Sequence, residues 1–341
     1  MNRRLLRTGS ALIALGVAVL MLFLCEDKRQ TAFYANKGKV FGTYYSIQYE
    51  ATNDLEDSIQ TAFYTFDNSL SMFNPHSTLS AINTNRDTTT DAFFESMWAE
   101  AERVYRLSDG AFDITVAPLV NLWGFGLKNR SNVSDAQIDS ARALVGFDRV
   151  QLVNRHIVKA DPRMMLDGGA VAKGQACDVV AAMLQRQGCE NYLVEIGGEI
   201  VCYGHNSRGD KWHVGITKPV DNNGGEPKAN GELQDIIAVS DICMATSGNY
   251  RNYYYADGEK RSHTIDPRSG RPVQHALLSA TVVSSSCMRA DALATACMVV
   301  GETEALDMIS RAGDAACYLI VAQGDSMVVI TSPNWKEIIE N

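Results

Sequence analysis

From residue 39 to the C-terminus, helical and extended hydrophobic patterns follow one another with no repeat, low-complexity tract or clear linker between them. A chain built this way has to bury helices and strands together, in one large domain or two intimate ones. Residues 39–49 read as a strand with Gly42 at its start. Residues 54–68 carry Leu55, Ile59, Ala62, Phe63 and Phe66 at helical spacing. Residues 93–107 form a stronger helix, with Asp91 as its cap and Gly110 in the turn that follows. Ser134-Asp135-Ala136-Gln137 has the form of a capping box, and Gly146 marks the end of that helix. Strands are expected at 150–153, 192–203, 212–217, 236–239, 279–283, 316–321 and 327–331. The stretch 219–231, rich in Asn, Gly and charge, is expected to loop out. Helices mixed with mostly antiparallel strands predict an α+β fold.

The N-terminus carries Arg3, Arg4 and Arg7, then an uncharged apolar run over residues 8–24, then Cys25. This is the layout of a secretory signal or a short membrane anchor. A cysteine directly after such a run resembles the lipidation site of bacterial lipoproteins. Those usually have a small residue before the cysteine, whereas here it is Leu24, so an uncleaved anchor is the alternative. Either way the positive-inside rule puts the rest of the chain outside the cytoplasm. We therefore divide the chain into a targeting segment (1–25), a linker (26–38) and one large domain (39–341). The other seven cysteines mostly sit in apolar runs without Cys-x-x-Cys spacing, and read as small core residues. A formal net charge of −9 argues against nucleic-acid binding.

Four segments have residues suited to chemistry. Between Arg261 and Pro272, Pro267 follows Asp266 and Gly270 comes soon after, so the backbone has to turn. Such a turn can aim His263 and Asp266 into a pocket, with three arginines nearby. Farther on, Asp291 and Thr295 share one face if residues 290–300 are helical. A carboxylate with a hydroxyl is a poor site for a transition metal and suits magnesium, which takes further oxygens from substrate phosphates. The segment from Asp167 to Asp178, with Gly168, Gly169 and Lys173, reads as a turn from an apolar strand into a helix whose free N–H groups favour an anion. It is neither a Walker loop nor a GxGxxG fingerprint. Gly197 and Gly198 interrupt a strand, as at a bulge or a close backbone contact. Trp123 and Phe125 read as core residues or pocket rings, and Phe73 as core or as a ring that stacks on a planar ligand.

Taken in order, these pieces resemble one family, the FAD:protein FMN transferases of the ApbE type, over residues 40–334. The matching segments are Phe41-Gly42-Thr43-Tyr44, Ser71 to Asn83, Gly110 to Val116, Leu122 to Gly126, Asp167 to Asp178, Gly197-Gly198, Thr246 to Tyr250, His263 to Pro272, and Ala290 to Thr295. The resemblance implies an ApbE-like fold with mixed and antiparallel sheets. It implies an FAD pocket involving Phe41, Ser71, Phe73, Ala111, Phe112, Asp113, Lys173, Asp178 and His263. It implies magnesium held by the Ala170 carbonyl, Asp291 and Thr295, with His263 and Asp291 as catalytic candidates. The implied reaction moves FMN from FAD to a threonine hydroxyl of an acceptor protein through a phosphoester, releasing AMP. Implied acceptors are membrane redox subunits, as in sodium-pumping NADH:quinone oxidoreductases and Rnf complexes, with a Ser/Thr-Gly-Ala-Thr-like segment. The implied location is the periplasmic face of the bacterial inner membrane. Hydrolysis of FAD to FMN and AMP, or non-catalytic flavin binding by a lipoprotein, are the competing readings.

Overall fold

The computed structural model describes residues 31–127, 133–220, 232–250, 253–256 and 259–340. The N-terminal cluster, the apolar run with Cys25, and residues 221–231 of the expected loop lie outside them. Among the described residues no helix is long and apolar enough to cross a membrane.

An eight-stranded sheet forms the frame: β1 (Ala32–Val40), β2 (Thr43–Ala51), β3 (Tyr192–Ile196), β4 (Glu199–Tyr203), β5 (Ile242–Gly248), β6 (Leu277–Ser284), β7 (Ala316–Gln323) and β8 (Ser326–Thr331). Their order across the sheet is their order along the chain, and every neighbouring pair is antiparallel. Long insertions therefore leave the sheet and return beside the strand they left. The first holds α1 (Glu56–Leu70), α2 (Thr78–Asn83), α3 (Ala92–Leu107), α4 (Ala117–Leu122), α5 (Asp135–Arg142) and α6 (Ala172–Arg186). The last, between β6 and β7, holds α7 (Cys287–Val300) and α8 (Glu302–Ala312).

Both faces of the sheet are covered. Tyr45, Ile47 and Tyr49 of β2 alternate into a core shared with Ile59 and Phe63 of α1, Phe94 and Met97 of α3, and Val180 and Leu184 of α6. The opposite face packs Ile200, Met244, Tyr318 and Ile320 against a hairpin, Trp212–Thr217 with Leu233–Val239, and against Trp335 of α9 (Trp335–Glu340). Strand β6 lies between β5 and β7, and seven of its eight residues are buried, as expected of a strand covered on both faces. The α+β expectation holds. Helix α7 is buried all round, the mark of a central helix.

The structure corrects several sequence-based boundaries. Residues 32–38, read as linker, belong to edge strand β1, paired with β2 from Ala32↔Ala51 to Val40↔Thr43. An edge strand with one solvated side carries too little apolar alternation to declare itself. The strand expected over 39–49 is two strands joined by a tight turn, with Phe41 at φ 51° and Gly42 at φ 74°. Gly197 and Gly198 are likewise a hairpin turn, since Ile196 pairs with Glu199. No strand runs directly into Asp167: the last one before it ends at Lys159, and residues 164–168 are irregular. The capping box at Ser134 and Gln137 and the Asp91 cap on Phe94 N–H both form. The seven cysteines after Cys25 are packed in or against the cores.

Candidate active site

Two helices that cross closely bring the candidate residues together. Helix α6 meets α7 at Gly174, where an added Cβ would lie 2.2 Å from the Cys287 carbonyl oxygen and 2.8 Å from Asp291 Cβ. Only glycine permits that approach. It lets the Gly174 N–H donate to Asp291 Oδ2 at 3.0 Å. The helix entrance expected to offer a free N–H to an anion thus spends this one on a protein carboxylate.

Asp178, one turn farther along α6, accepts from the N–H groups of Cys287 and Met288, both at 2.9 Å. Ser286 accepts from Arg289 N–H at 3.2 Å. The first turn of α7 is thereby satisfied, with a carboxylate at its positive end. Asp178 lines neither cavity described below. Burial pushes its carboxyl up to about 6, against the two hydrogen bonds that favour the anion. Asp178, expected at the nucleotide, thus lies outside both cavities and aims the helix that carries Asp291 and Thr295. Arg289 fixes the same helix by ion pairs to Glu100 at 2.8 Å and Asp314 at 2.9 Å.

Asp291 is 1% exposed, yet it borders a cavity. Lys173 Nζ lies 3.5 Å from Asp291 Oδ2 and 2.9 Å from Glu199 Oε1. Burial opposes the ammonium charge, but Asp291 and Glu199 outweigh it and hold the Lys173 pKa above the usual lysine value. Burial raises the Glu199 pKa above the usual carboxylate range. Thr295, one turn after Asp291, shares a hydrogen bond with Ser247 of β5 at 3.1 Å.

The cavity bordered by Asp291 has a volume of about 340 Å³. Ala111, Phe112, Asp113, Ala170, Lys173, His263 and Thr295 also line it. A second cavity of about 590 Å³ carries Phe41, Ser71 and Phe73, and the two share Met72, Gly169 and Lys173. Every expected site residue except Asp178 therefore lines one of two adjoining spaces. Phe41 packs on Phe63 and Phe66, and a ring-bearing residue held at positive φ is a conformation that surrounding structure has to enforce. Phe73 is 75% exposed and stands at the rim.

The turn at Pro267 does present His263 to the cavity, beside Phe125 with ring centroids 6.3 Å apart. Trp123 Nε1 donates to the Gly270 carbonyl at 2.8 Å and ties α4 to this turn. Asp266 does not follow His263 inward. It accepts from the Arg268 backbone and guanidinium within the turn. Arg271 pairs with Asp135, and Arg261 lies over the Trp123 ring. The expected arginine cluster is thus dispersed to other partners. Asp113 lines the cavity, but its oxygens accept from Thr115 N–H, Thr115 Oγ1 and Phe147 N–H, so it braces its own loop.

The sequence reading did not assign Asp167, Glu199, Ser247 or Met72. Asp167 borders the first cavity, and burial raises its carboxyl pKa. Glu199 and Ser247 take their places from segments distant in the chain, Lys173 and Thr295, so nothing local marks them. Asp291, Thr295 and the cavity-lining Ala170 supply only oxygen donors, a set that fits a hard cation such as magnesium and not a soft one.

Comparison with known proteins identifies the family. A protein of Vibrio cholerae serotype O1 named FAD:protein FMN transferase is 36% identical over 346 residues, covering 96% of this chain and 98% of its own. The protein of that name from Escherichia coli K12 is 34% identical over 347 residues, covering 96% and 97%. The solved structure described as flavin transferase ApbE from Vibrio cholerae aligns with a TM-score of 0.80 at 34% identity, over 91% of this chain and 100% of that one. Apo flavinyl transferase ApbE of Pseudomonas stutzeri aligns with a TM-score of 0.79 at 30% identity, over 92% and 98%. The model of the ApbE family matches residues 41–319, and this chain belongs to that family.

Proposed function

We propose that this protein transfers FMN from FAD to a threonine hydroxyl of an acceptor protein, with magnesium, and releases AMP. The observation that carries the reading is the grouping of Asp291, Thr295, Lys173 and His263 around one cavity that adjoins a second, apolar one. The relatives named FAD:protein FMN transferase support the reaction class. Asp291, Thr295 and the Ala170 carbonyl would hold the magnesium, which when bound offsets charge on the FAD diphosphate.

The remaining work falls to this chain's own groups. Lys173, kept charged by its two carboxylates, faces the space where phosphates would lie. His263 accepts the proton of the attacking hydroxyl. The new bond joins the threonine oxygen to the FMN phosphorus. The bond that breaks is the phosphoanhydride, and its oxygen leaves with AMP. Phe41 and Phe73 offer rings to the planar parts of the nucleotide.

We assign residues 1–25 as the targeting segment, on their basic cluster and apolar run, and the periplasmic face of the inner membrane as the location. Acceptors are then membrane redox subunits of the NADH:quinone oxidoreductase and Rnf type, which an anchored, outward-facing transferase is placed to modify.

The test incubates the full chain, in detergent, with FAD and an acceptor domain carrying a Ser/Thr-Gly-Ala-Thr segment, with and without magnesium. AMP is followed by chromatography and the acceptor by mass spectrometry. Magnesium-dependent AMP with an FMN-sized mass gain is expected. AMP with free FMN and an unmodified acceptor would replace transfer by hydrolysis. Bound FAD without AMP would leave a flavin-binding protein.

A further inference from the structure

Glu199 belongs to neither cavity lining, yet it is the closer carboxylate to Lys173. Its side chain is 2% exposed. Only Oε1 meets the ammonium, while Oε2 is buried with no hydrogen-bond partner among the described residues. Such an oxygen is costly to keep. The backbone holds it there from two sides. Gly197, at φ 69°, leaves room that a Cβ would take from Oε2 at 3.2 Å, and the Glu199 carbonyl accepts from Cys177 Sγ on α6. Cys177 lies one turn after Lys173 on that helix.

We propose that Glu199 is a positioning residue: the standing counter-ion of Lys173, which leaves the Asp291 carboxylate able to take a divalent cation. The inference rests on the metal reading of Asp291 and Thr295 given above. The reasoning is one of charge. Lys173 and Asp291 alone would neutralise each other, and an incoming cation would have to displace the ammonium or face it at close range. With Glu199 ionised, the state its 2.9 Å contact with the ammonium favours against burial, the group holds two carboxylates against one ammonium. The surplus negative charge attracts the cation, and Lys173 keeps a partner after Asp291 turns to the metal. Lys173 then stays charged next to the metal, where a phosphate-facing cation is useful.

The test measures Mn²⁺ binding to the full chain in detergent, without FAD, by the electron paramagnetic resonance signal of free Mn²⁺. Glu199→Gln should weaken binding about tenfold or more. Lys173→Met should bind more tightly than the unmodified protein. The double variant, which restores the charge balance, should return to within about threefold of it. Unchanged affinity in Glu199→Gln overturns the inference, as does a double variant no better than Glu199→Gln, which would make the role one of packing. If Glu199→Gln does not fold, Lys173→Met alone decides, since unaltered affinity there overturns the competition. Failure of the metal reading looks different: the unmodified protein binds no Mn²⁺, or Asp291→Asn binds it as well as the unmodified protein.

Discussion

Asp178 offers the sharpest separation between a ligand contact and a structural one. Its two oxygens accept from Cys287 and Met288 N–H at 2.9 Å each. Replacing it with Ala leaves both donors without acceptors at a packed helix start, at a cost of about 2–4 kcal/mol. Asp178→Asn keeps one oxygen and removes a charge that burial disfavours. The displacement of the carboxyl from 3.8 to about 6 corresponds to about 3 kcal/mol at most, so the Asn variant should stay within about 1 kcal/mol of the original at pH 8. The pH dependence has a definite sign. A carboxyl with a raised folded-state pKa contributes stability at low pH that is lost as pH rises through about 6. Between pH 7 and 5 the original protein should therefore gain about 1.4 kcal/mol relative to Asp178→Asn. Urea unfolding at the two pH values measures all of this. Equal stability of the Ala and Asn variants would refute the capping role. An Ala variant of unchanged stability with tenfold weaker FAD binding would restore the nucleotide contact.

Other changes test the same frame. Gly174→Ala should destabilise the domain by about 3 kcal/mol, because its Cβ would run into the Cys287 carbonyl and Asp291 Cβ, neither of which can swing away, and a melting temperature equal to the original would contradict the close helix crossing. Arg289→Met leaves the buried Glu100 carboxylate with only the more exposed Arg103, at 3.2 Å, and should cost up to about 3 kcal/mol, with much of that recovered in Glu100→Gln/Arg289→Met; a single variant as stable as the original would show the Arg289 pair to be idle. His263→Ala should slow transfer by about two to four orders of magnitude while FAD affinity changes little. Parallel losses of rate and affinity would make His263 a binding residue. Asp291→Ala should fold and lose magnesium-dependent AMP release, and unaltered release would end the metal assignment.

Much of this protein was legible in one dimension. Local chemistry marked the Asp91 cap, the Ser134–Gln137 box and the Pro267 turn, because a cap or turn is decided by residues a few positions apart. Helical spacing placed Asp291 and Thr295 on one face for the same reason. Tertiary structure decided what lies across the site. Glu199 meets Lys173 only because a hairpin at Gly197 and a helix start at Ala172 converge. Asp178 became a helix cap because α7 begins beside it after more than a hundred intervening residues. Asp266 and Arg268 pair with each other within the turn, while Arg271 meets Asp135 and Arg261 lies over Trp123, so the charges that the sequence sets around His263 do not converge on a pocket. A sequence gives residue type and near spacing, whereas the partner that a buried charge must find comes from whichever segment the fold packs against it.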